Sequence, residues 1–105
     1  MQIIDWNDKL SFQAEKMQKI SLFDTPRFFC DVYCFEPGQS QKPHAHAGSD
    51  KVYMVLSGKA RVRVGTEERE LSANQLVLAP AGPDHGVTNP GPERLVMLVY
   101  MAPKP

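Results

Sequence analysis

Three histidines are the residues of this chain whose type and spacing could do chemistry. His44 and His46 are separated by one residue, and His85 follows the stretch Pro-Ala-Gly-Pro-Asp. In an extended strand, residues i and i+2 point to the same face and lie about 6.6 Å apart, so two imidazoles in this pattern can bind one metal ion. A His-x-His pair alone is more often a surface or core feature than a metal site. The third histidine therefore decides how the pair is interpreted.

Both histidine segments resemble the two sequence motifs of the cupin superfamily of small β-barrels. The first motif reads Gly-x5-His-x-His-x3–4-Glu-x6-Gly, and the residues that match it at the expected spacing are Gly38, His44, His46 and Gly58. The second motif reads Gly-x5-Pro-x-Gly-x2-His-x3-Asn, and the residues that match it are Pro80, Gly82, His85 and Asn89. The resemblance covers residues 38–89, about half of the chain. It implies an all-β fold, the cupin double-stranded β-helix or jelly-roll barrel.

Two positions depart from the family motifs. The glycine that opens the second motif is Asn74 here, and asparagine also tolerates positive φ in a turn. The metal-binding glutamate falls, counting back from Gly58, on Lys51, which removes a ligand and adds a cation. If Lys51 keeps the family position, it faces the cavity together with Tyr53; otherwise it leans outward to Asp50 or to solvent. An inward lysine would weaken metal binding, lose its proton or pair with an anion.

Length and composition limit the classes of protein to which the chain can belong. Its 105 residues predict a single cupin domain over residues 1–105, with the motifs in residues 38–89. Twelve basic and twelve acidic residues give a formal charge of zero, whereas a nucleic-acid-binding protein normally has a basic face. No apolar run approaches the roughly 20 residues of a membrane span, and the N-terminus is too polar for a signal peptide. We therefore expect a cytoplasmic protein with no nucleic-acid or membrane partner.

Nine prolines and seven glycines divide the chain into about eight to ten predicted short strands. Three of these, Arg27–Phe35, Lys51–Leu56 and Leu95–Met101, are apolar on both faces. A small barrel has one interior, so apolar outer faces require a cover. That cover is either the N-terminal segment or a second subunit. We predict a homodimer, with the N-terminal strands of residues 1–36 a possible part of the contact. Residues 1–15 could form a strand across the barrel or a segment that docks on a partner.

The cysteines and the charged hairpin favour structural roles. Cys30 and Cys34, the two cysteines of the chain, would lie about 13 Å apart on one strand, beyond the reach of a disulfide. We interpret them as buried reduced thiols, with a thiol facing the pocket as the alternative.

Gly65-Thr66 predicts a two-residue hairpin. That register predicts the cross-strand ion pairs Arg63–Glu68 and Arg61–Glu70.

The resemblance implies that His44, His46 and His85 are ligands of a divalent transition metal. Three imidazoles leave two or three coordination positions open, which is typical of catalysis or ligand binding rather than of a closed structural site. Histidine donors suit Fe, Zn, Ni, Cu or Mn, so the sequence does not select the metal. Two hypotheses follow. The first is a metal-dependent enzyme, such as a three-histidine dioxygenase or an isomerase, that acts on a small anionic or chelating metabolite while Lys51 or Tyr53 positions charge. The second is a non-catalytic ligand-binding or sensing module.

Overall fold

The computed structural model describes residues 1–105 and consists mainly of β-strands. A short 3₁₀ helix, Trp6–Lys9, precedes nine strands. The strands are β1 Gln18–Asp24, β2 Phe29–Phe35, β3 Ser40–His44, β4 Asp50–Ser57, β5 Lys59–Val64, β6 Glu67–Ser72, β7 Leu76–Ala79, β8 His85–Thr88 and β9 Leu95–Ala102. No helix has the length and apolar character needed to cross a membrane.

The strands form two antiparallel sheets, which confirms the predicted double-stranded β-helix. The five-stranded sheet has the order β1-β2-β9-β4-β7, and the four-stranded sheet has the order β3-β8-β5-β6. Sequence neighbours such as β3 and β4 therefore lie in different sheets. The two strands that carry the histidine segments, β3 and β8, are hydrogen-bonded to each other in the smaller sheet.

The core lies between the two sheets and is formed by alternate residues of the central strands. Tyr33 and Phe35 of β2, Tyr53 and Val55 of β4, and Met97 of β9 are all buried in one apolar cluster. Val62 and Val87 belong to the same cluster and come from the smaller sheet. Because side chains alternate between faces, the residues between these positions point away from the core.

The outer face of β2 is covered by the N-terminal segment of the same chain. Val32 and Cys34 are buried although they alternate with Tyr33 and Phe35, and the backbone of Ser11 lies near enough to the Cys34 thiol to affect its pKa. The expectation of a strand within residues 1–15 is wrong, since these residues form the 3₁₀ helix and irregular backbone. The side-chain amide of Gln39 holds this segment by donating to the carbonyl of Gln13 at 2.7 Å.

The cysteines and the hairpin register agree with their main predictions. Both cysteines are free and lie on the outer face of β2, so the alternative of a thiol facing the pocket is wrong. The Gly65-Thr66 hairpin has the predicted register, with Arg61 opposite Glu70 and Arg63 opposite Glu68.

The two predicted ion pairs of the hairpin are absent, because its long exposed side chains find other partners. Glu70 pairs with Lys59 at 3.8 Å, and the Arg63 Nε donates to the carbonyl of Gly65 at 3.1 Å. Asn74 adopts φ of 74°, which confirms that it serves as the turn residue where the family has glycine.

Candidate metal centre

The pairing of β3 with β8 places two histidines side by side. His44, the last residue of β3, is the cross-strand partner of His85, the first residue of β8. His46 was expected on the same strand as His44, but β3 ends at His44 and His46 lies in the following loop. The carbonyl of His46 accepts a hydrogen bond from the Gly82 amide at 3.0 Å. The Pro-x-Gly turn that precedes β8 therefore also fixes the loop that carries His46.

The three imidazoles converge to the size of a metal site. One ring nitrogen from each of the three histidines lies within 4.8 Å of the others. The ring centre of His44 is 4.5 Å from that of His85 and 4.9 Å from that of His46. Two nitrogens bound to one zinc ion at about 2.1 Å can be at most about 4.2 Å apart. The cluster is thus close to the dimensions that a single ion requires.

His85 is the strongest sign that the cluster holds a ligand. Its side chain is 1% exposed, and neither ring nitrogen has a hydrogen-bond partner. Burial, followed by the charges of Lys51 and His44, lowers the pKa of His85 to about 4, although the nearby Pro83 carbonyl acts in the opposite direction. The ring is therefore neutral at pH 7. A buried polar group without a partner costs free energy, and a metal ion would satisfy one of these nitrogens.

The other two histidines also present lone pairs. The Nδ1 of His44 lies 3.0 Å from the carbonyl oxygen of Lys42, which can only accept, so Nδ1 donates this hydrogen bond and Nε2 is the nitrogen left for a metal. Hydrogen bonds of this kind to backbone carbonyls orient metal-binding imidazoles in proteins. Burial and the neighbouring charges of His44, Lys51 and Lys19 lower the pKa of His46. The donor set fits a divalent transition metal.

Lys51 points into the barrel interior at the position of the family glutamate. Its side chain is 2% exposed, and its Nζ lies 5.0 Å from the ring centre of Tyr53 and 5.3 Å from that of Tyr33. The alternative that Lys51 leans outward to Asp50 is wrong, because Asp50 accepts a hydrogen bond from the Ala81 amide on the other side of the strand. Burial, assisted by the charge of Lys19, lowers the pKa of Lys51 to about 8.

Tyr53, the second residue predicted for the cavity wall, belongs to a buried hydrogen-bonded chain. Its hydroxyl donates to the Gln41 Oε1 at 3.0 Å, and the Gln41 Nε2 donates to the Tyr33 hydroxyl across a long 3.5 Å contact. Burial raises the pKa of Tyr53 well above its ordinary value. Tyr53 therefore keeps its proton, and its structural contribution is to orient Gln41.

Four residues that lie close to Lys51 or Tyr53 were not identified from the sequence. They are Lys19 of β1, Asp31 and Tyr33 of β2, and Gln41 of β3. Lys19 is the cross-strand partner of Tyr33, and its Nζ lies 5.4 Å from the Tyr33 ring centre. Asp31 lies near enough to both Lys19 and Lys51 for each to affect its pKa, although burial dominates and raises that pKa. A charged residue inside the apolar strand Arg27–Phe35 was the signal that could have located this side of the cavity.

Comparisons with known proteins agree with this architecture. A family model described as the cupin domain matches residues 31–101. A crystal structure of a protein from Thermus thermophilus is 45% identical in sequence, with a TM-score of 0.97 and coverage of 100% of both chains. An uncharacterized protein of Streptomyces coelicolor is 35% identical over 75 residues, which are 70% of this chain and 69% of that protein. The tetracenomycin polyketide synthase protein TcmJ of Streptomyces glaucescens is 35% identical over 72 residues, 66% of this chain and 48% of that protein.

Proposed function

Because this chain belongs to the cupin superfamily, we propose that His44, His46 and His85 bind a divalent transition metal that holds a small anionic or chelating metabolite. The observation that carries the proposal is His85, a buried and neutral imidazole without a hydrogen-bond partner, which forms a cluster with two further imidazoles. Iron, zinc, nickel, copper and manganese all suit this donor set.

The charges of the cavity support an anionic ligand. Three neutral imidazoles leave the charge of a divalent ion uncompensated, and Lys51 adds a cation where the family has a carboxylate. When bound, such a metal polarises a coordinated carboxylate or carbonyl and, if it is redox-active, supports reactions with dioxygen. In this proposal Lys51 attracts the ligand's negative charge, while Tyr53 and Gln41 keep the cavity wall in place.

We propose an enzyme, similar to the three-histidine oxygenases, as the first of two functions. The observation in its favour is the lowered pKa of Lys51, about 8, which is near the value at which a side chain transfers protons efficiently at neutral pH. The second candidate is a non-catalytic ligand-binding or sensing module. It is favoured by Tyr53, whose hydroxyl is engaged with Gln41 and whose raised pKa keeps it protonated, so that Tyr53 does not serve as a base. Oxygen uptake with a chelating substrate in air supports the enzyme, whereas saturable binding without turnover supports the module.

Replacement of His85 by alanine tests the metal site directly. We expect His85→Ala to abolish metal binding, because two histidines cannot complete the three-nitrogen face, while the fold survives the loss of a ring that makes no hydrogen bond. Metal content is measured by mass spectrometry on protein without a histidine tag, and folding by circular dichroism. Full metal occupancy in His85→Ala would show that His85 is not a ligand.

We further propose that the chain forms one cupin domain and acts as a cytoplasmic homodimer. The support for the dimer is the outer face of the five-stranded sheet, where Leu76, Leu78 and Tyr100 are 61%, 58% and 40% exposed. The N-terminal segment covers β2 but leaves these three residues in solvent. A second copy of the sheet would cover them.

A further inference from the structure

We propose that Lys19, Lys51 and the hydroxyl of Tyr33 form an anion-binding subsite beside the three histidines, and that the ligand is therefore a small dicarboxylate. One carboxylate would coordinate the metal, and the other would bind in this subsite. The inference rests on the proposed metal site for the first carboxylate, whereas the subsite itself consists of residues that lie outside the histidine cluster.

The buried ammonium of Lys51 is the first observation. The side chain is 2% exposed, yet none of the four ion pairs of the chain includes it. Its Nζ instead approaches the rings of Tyr33 and Tyr53. Contact with aromatic faces offsets only part of the cost of removing an ammonium from water. An anionic ligand in the cavity would supply the missing partner.

The hydroxyl of Tyr33 is the second observation. Gln41 receives the hydrogen bond of Tyr53 on its oxygen and therefore turns its amide nitrogen toward Tyr33. The oxygen of Tyr33 is thereby an acceptor, and its own proton remains available for donation. Burial raises the pKa of Tyr33 to about 12, so the proton is retained at neutral pH. The series of hydrogen bonds from Tyr53 through Gln41 to Tyr33 thus leaves the Tyr33 hydroxyl free to donate to a ligand.

Lys19 brings a second cation to the same ring. Its Nζ lies 5.4 Å from the centre of Tyr33, and that of Lys51 lies 5.3 Å from the same centre. Lys19 is exposed whereas Lys51 is buried, so the pair extends from the protein surface into the barrel interior. An entering anion would meet Lys19 first and would then reach Lys51 and the Tyr33 hydroxyl.

The charge balance selects the class of ligand. Asp31 is the acidic residue that affects the pKa of Lys51, and it forms no ion pair with either lysine. One carboxylate cannot neutralise two lysines and a divalent metal. A ligand with two negative charges comes closer to balance, and carboxylates suit both a metal with open positions and an ammonium paired with a phenol.

Matched pairs of acids test the subsite. Malonate, succinate and glutarate are titrated calorimetrically into zinc-loaded protein, and each is compared with the monocarboxylate of equal chain length: propionate, butyrate or valerate. At least one dicarboxylate should bind about tenfold or more tightly than its partner, since a hydrogen bond to a charged group contributes a factor of this size. Equal affinities in all three pairs would overturn the proposal.

Variants assign the preference to the named residues. Lys19→Gln and Lys51→Gln should each remove most of the preference for the dicarboxylate over its matched monocarboxylate. Tyr33→Phe should reduce that preference, and Asp31→Asn should increase it. Lys59→Gln, an exposed lysine of the smaller sheet, is the control and should leave it unchanged. If Lys19→Gln keeps the full preference while remaining folded, the lysine pair does not bind the anion. Lys19 is exposed, so this variant does not threaten the core.

The same titrations without zinc separate the two proposals. Without zinc, a dicarboxylate can bind only through the subsite, so it should bind no more tightly than its matched monocarboxylate. Lys19→Gln should still weaken the binding of butyrate. If wild-type protein binds neither zinc nor iron, nickel, copper or manganese, the proposed function fails, and the effect of Lys19→Gln on butyrate alone decides the subsite. If zinc binds but no dicarboxylate is preferred, the proposed function stands and this inference fails.

Discussion

Lys51 is the single residue at which this chain departs most from the chemistry of its family. The motif predicts a carboxylate, and the structure places a buried ammonium on the same wall as Tyr53. The sequence could identify the exchange because the spacing to Gly58 fixed the position. It could not identify the environment of the lysine, since Lys19 and Tyr33 reach it from strands that are distant in sequence.

The exchange Lys51→Glu should restore the family pattern. Glutamate would supply a fourth ligand and a negative charge, so the affinity for zinc should rise by about tenfold or more. The affinity for a dicarboxylate should fall, because the new carboxylate repels it. Competition with a chromogenic chelator measures the first quantity, and calorimetry with succinate measures the second. If Lys51→Glu changes neither the affinity for zinc nor the affinity for succinate, Lys51 is not part of the site.

The exchange Lys51→Met should stabilise the fold in a pH-dependent manner. The folded-state pKa of Lys51 is about 8, below the ordinary 10.5, so burial disfavours the charged form. Below pH 8 both folded and unfolded states hold the proton, and the folded state carries the full penalty of about 3 kcal/mol. Between pH 8 and 10.5 the unfolded state binds more protons, so the free energy of unfolding of wild-type protein rises with pH.

Urea denaturation between pH 6.5 and 10 measures this effect as the difference between the two proteins. Lys51→Met should be more stable at pH 7, and its advantage should shrink as the pH rises through 8. An advantage that does not change with pH would show that Lys51 keeps an ordinary pKa. The charged or titratable groups that face Lys51 from other positions are present in both proteins: Lys19, Asp31, Tyr33, Tyr53 and His85.

The close approach of β3 and β8 forms the candidate site. A Cβ on Gly86 would lie 2.9 Å from the Gln41 carbonyl oxygen and 3.0 Å from the Pro43 nitrogen, closer than ordinary contacts. Only glycine therefore lets β3 pass near enough for His44 to face His85. The sequence predicted most strands within one or two residues, but not that β3 ends before His46, because the loop depends on its bond to Gly82.

Gly86→Ala should weaken the fold and the site together. The added methyl group pushes β3 away from β8, at a cost of about 1–3 kcal/mol, and separates His44 from His85, so zinc affinity should fall at least tenfold. Thermal unfolding and zinc titration measure the two effects. Gly48→Ala is the matched control, since a Cβ there meets nothing within 4 Å. Zinc affinity equal to that of the control would contradict this account of the site.

The apolar outer face of the five-stranded sheet remains without a cover over β7, β4 and β9. Leu78, Val52 and Tyr100 form one row across β7, β4 and β9, and Leu76 and Met54 begin a second row. The two-sided apolar pattern predicted a covered face from the sequence. It could not predict that the N-terminal segment covers only the part over β2, because that segment has no strand pattern of its own.

Leu78→Asp should convert the proposed dimer into a monomer. A carboxylate in the middle of an apolar contact would be desolvated without a partner, which costs several kcal/mol. Sedimentation velocity at micromolar concentration measures the change, and Thr66→Asp at the hairpin tip is the control. A wild-type protein that sediments as a monomer would refute the dimer.

The division of the cavity between two sheets has a mechanical consequence. The histidines are carried by β3, the loop after it and β8, whereas Lys19, Tyr33 and Lys51 are carried by the opposite sheet. A ligand that binds both the histidines and the lysine–tyrosine subsite would link the two sheets and oppose their separation. Amide hydrogens of β3 and β4 should then exchange more slowly when such a molecule is bound, even where they do not touch it. Ligand binding would therefore reduce the motion of both sheets relative to each other.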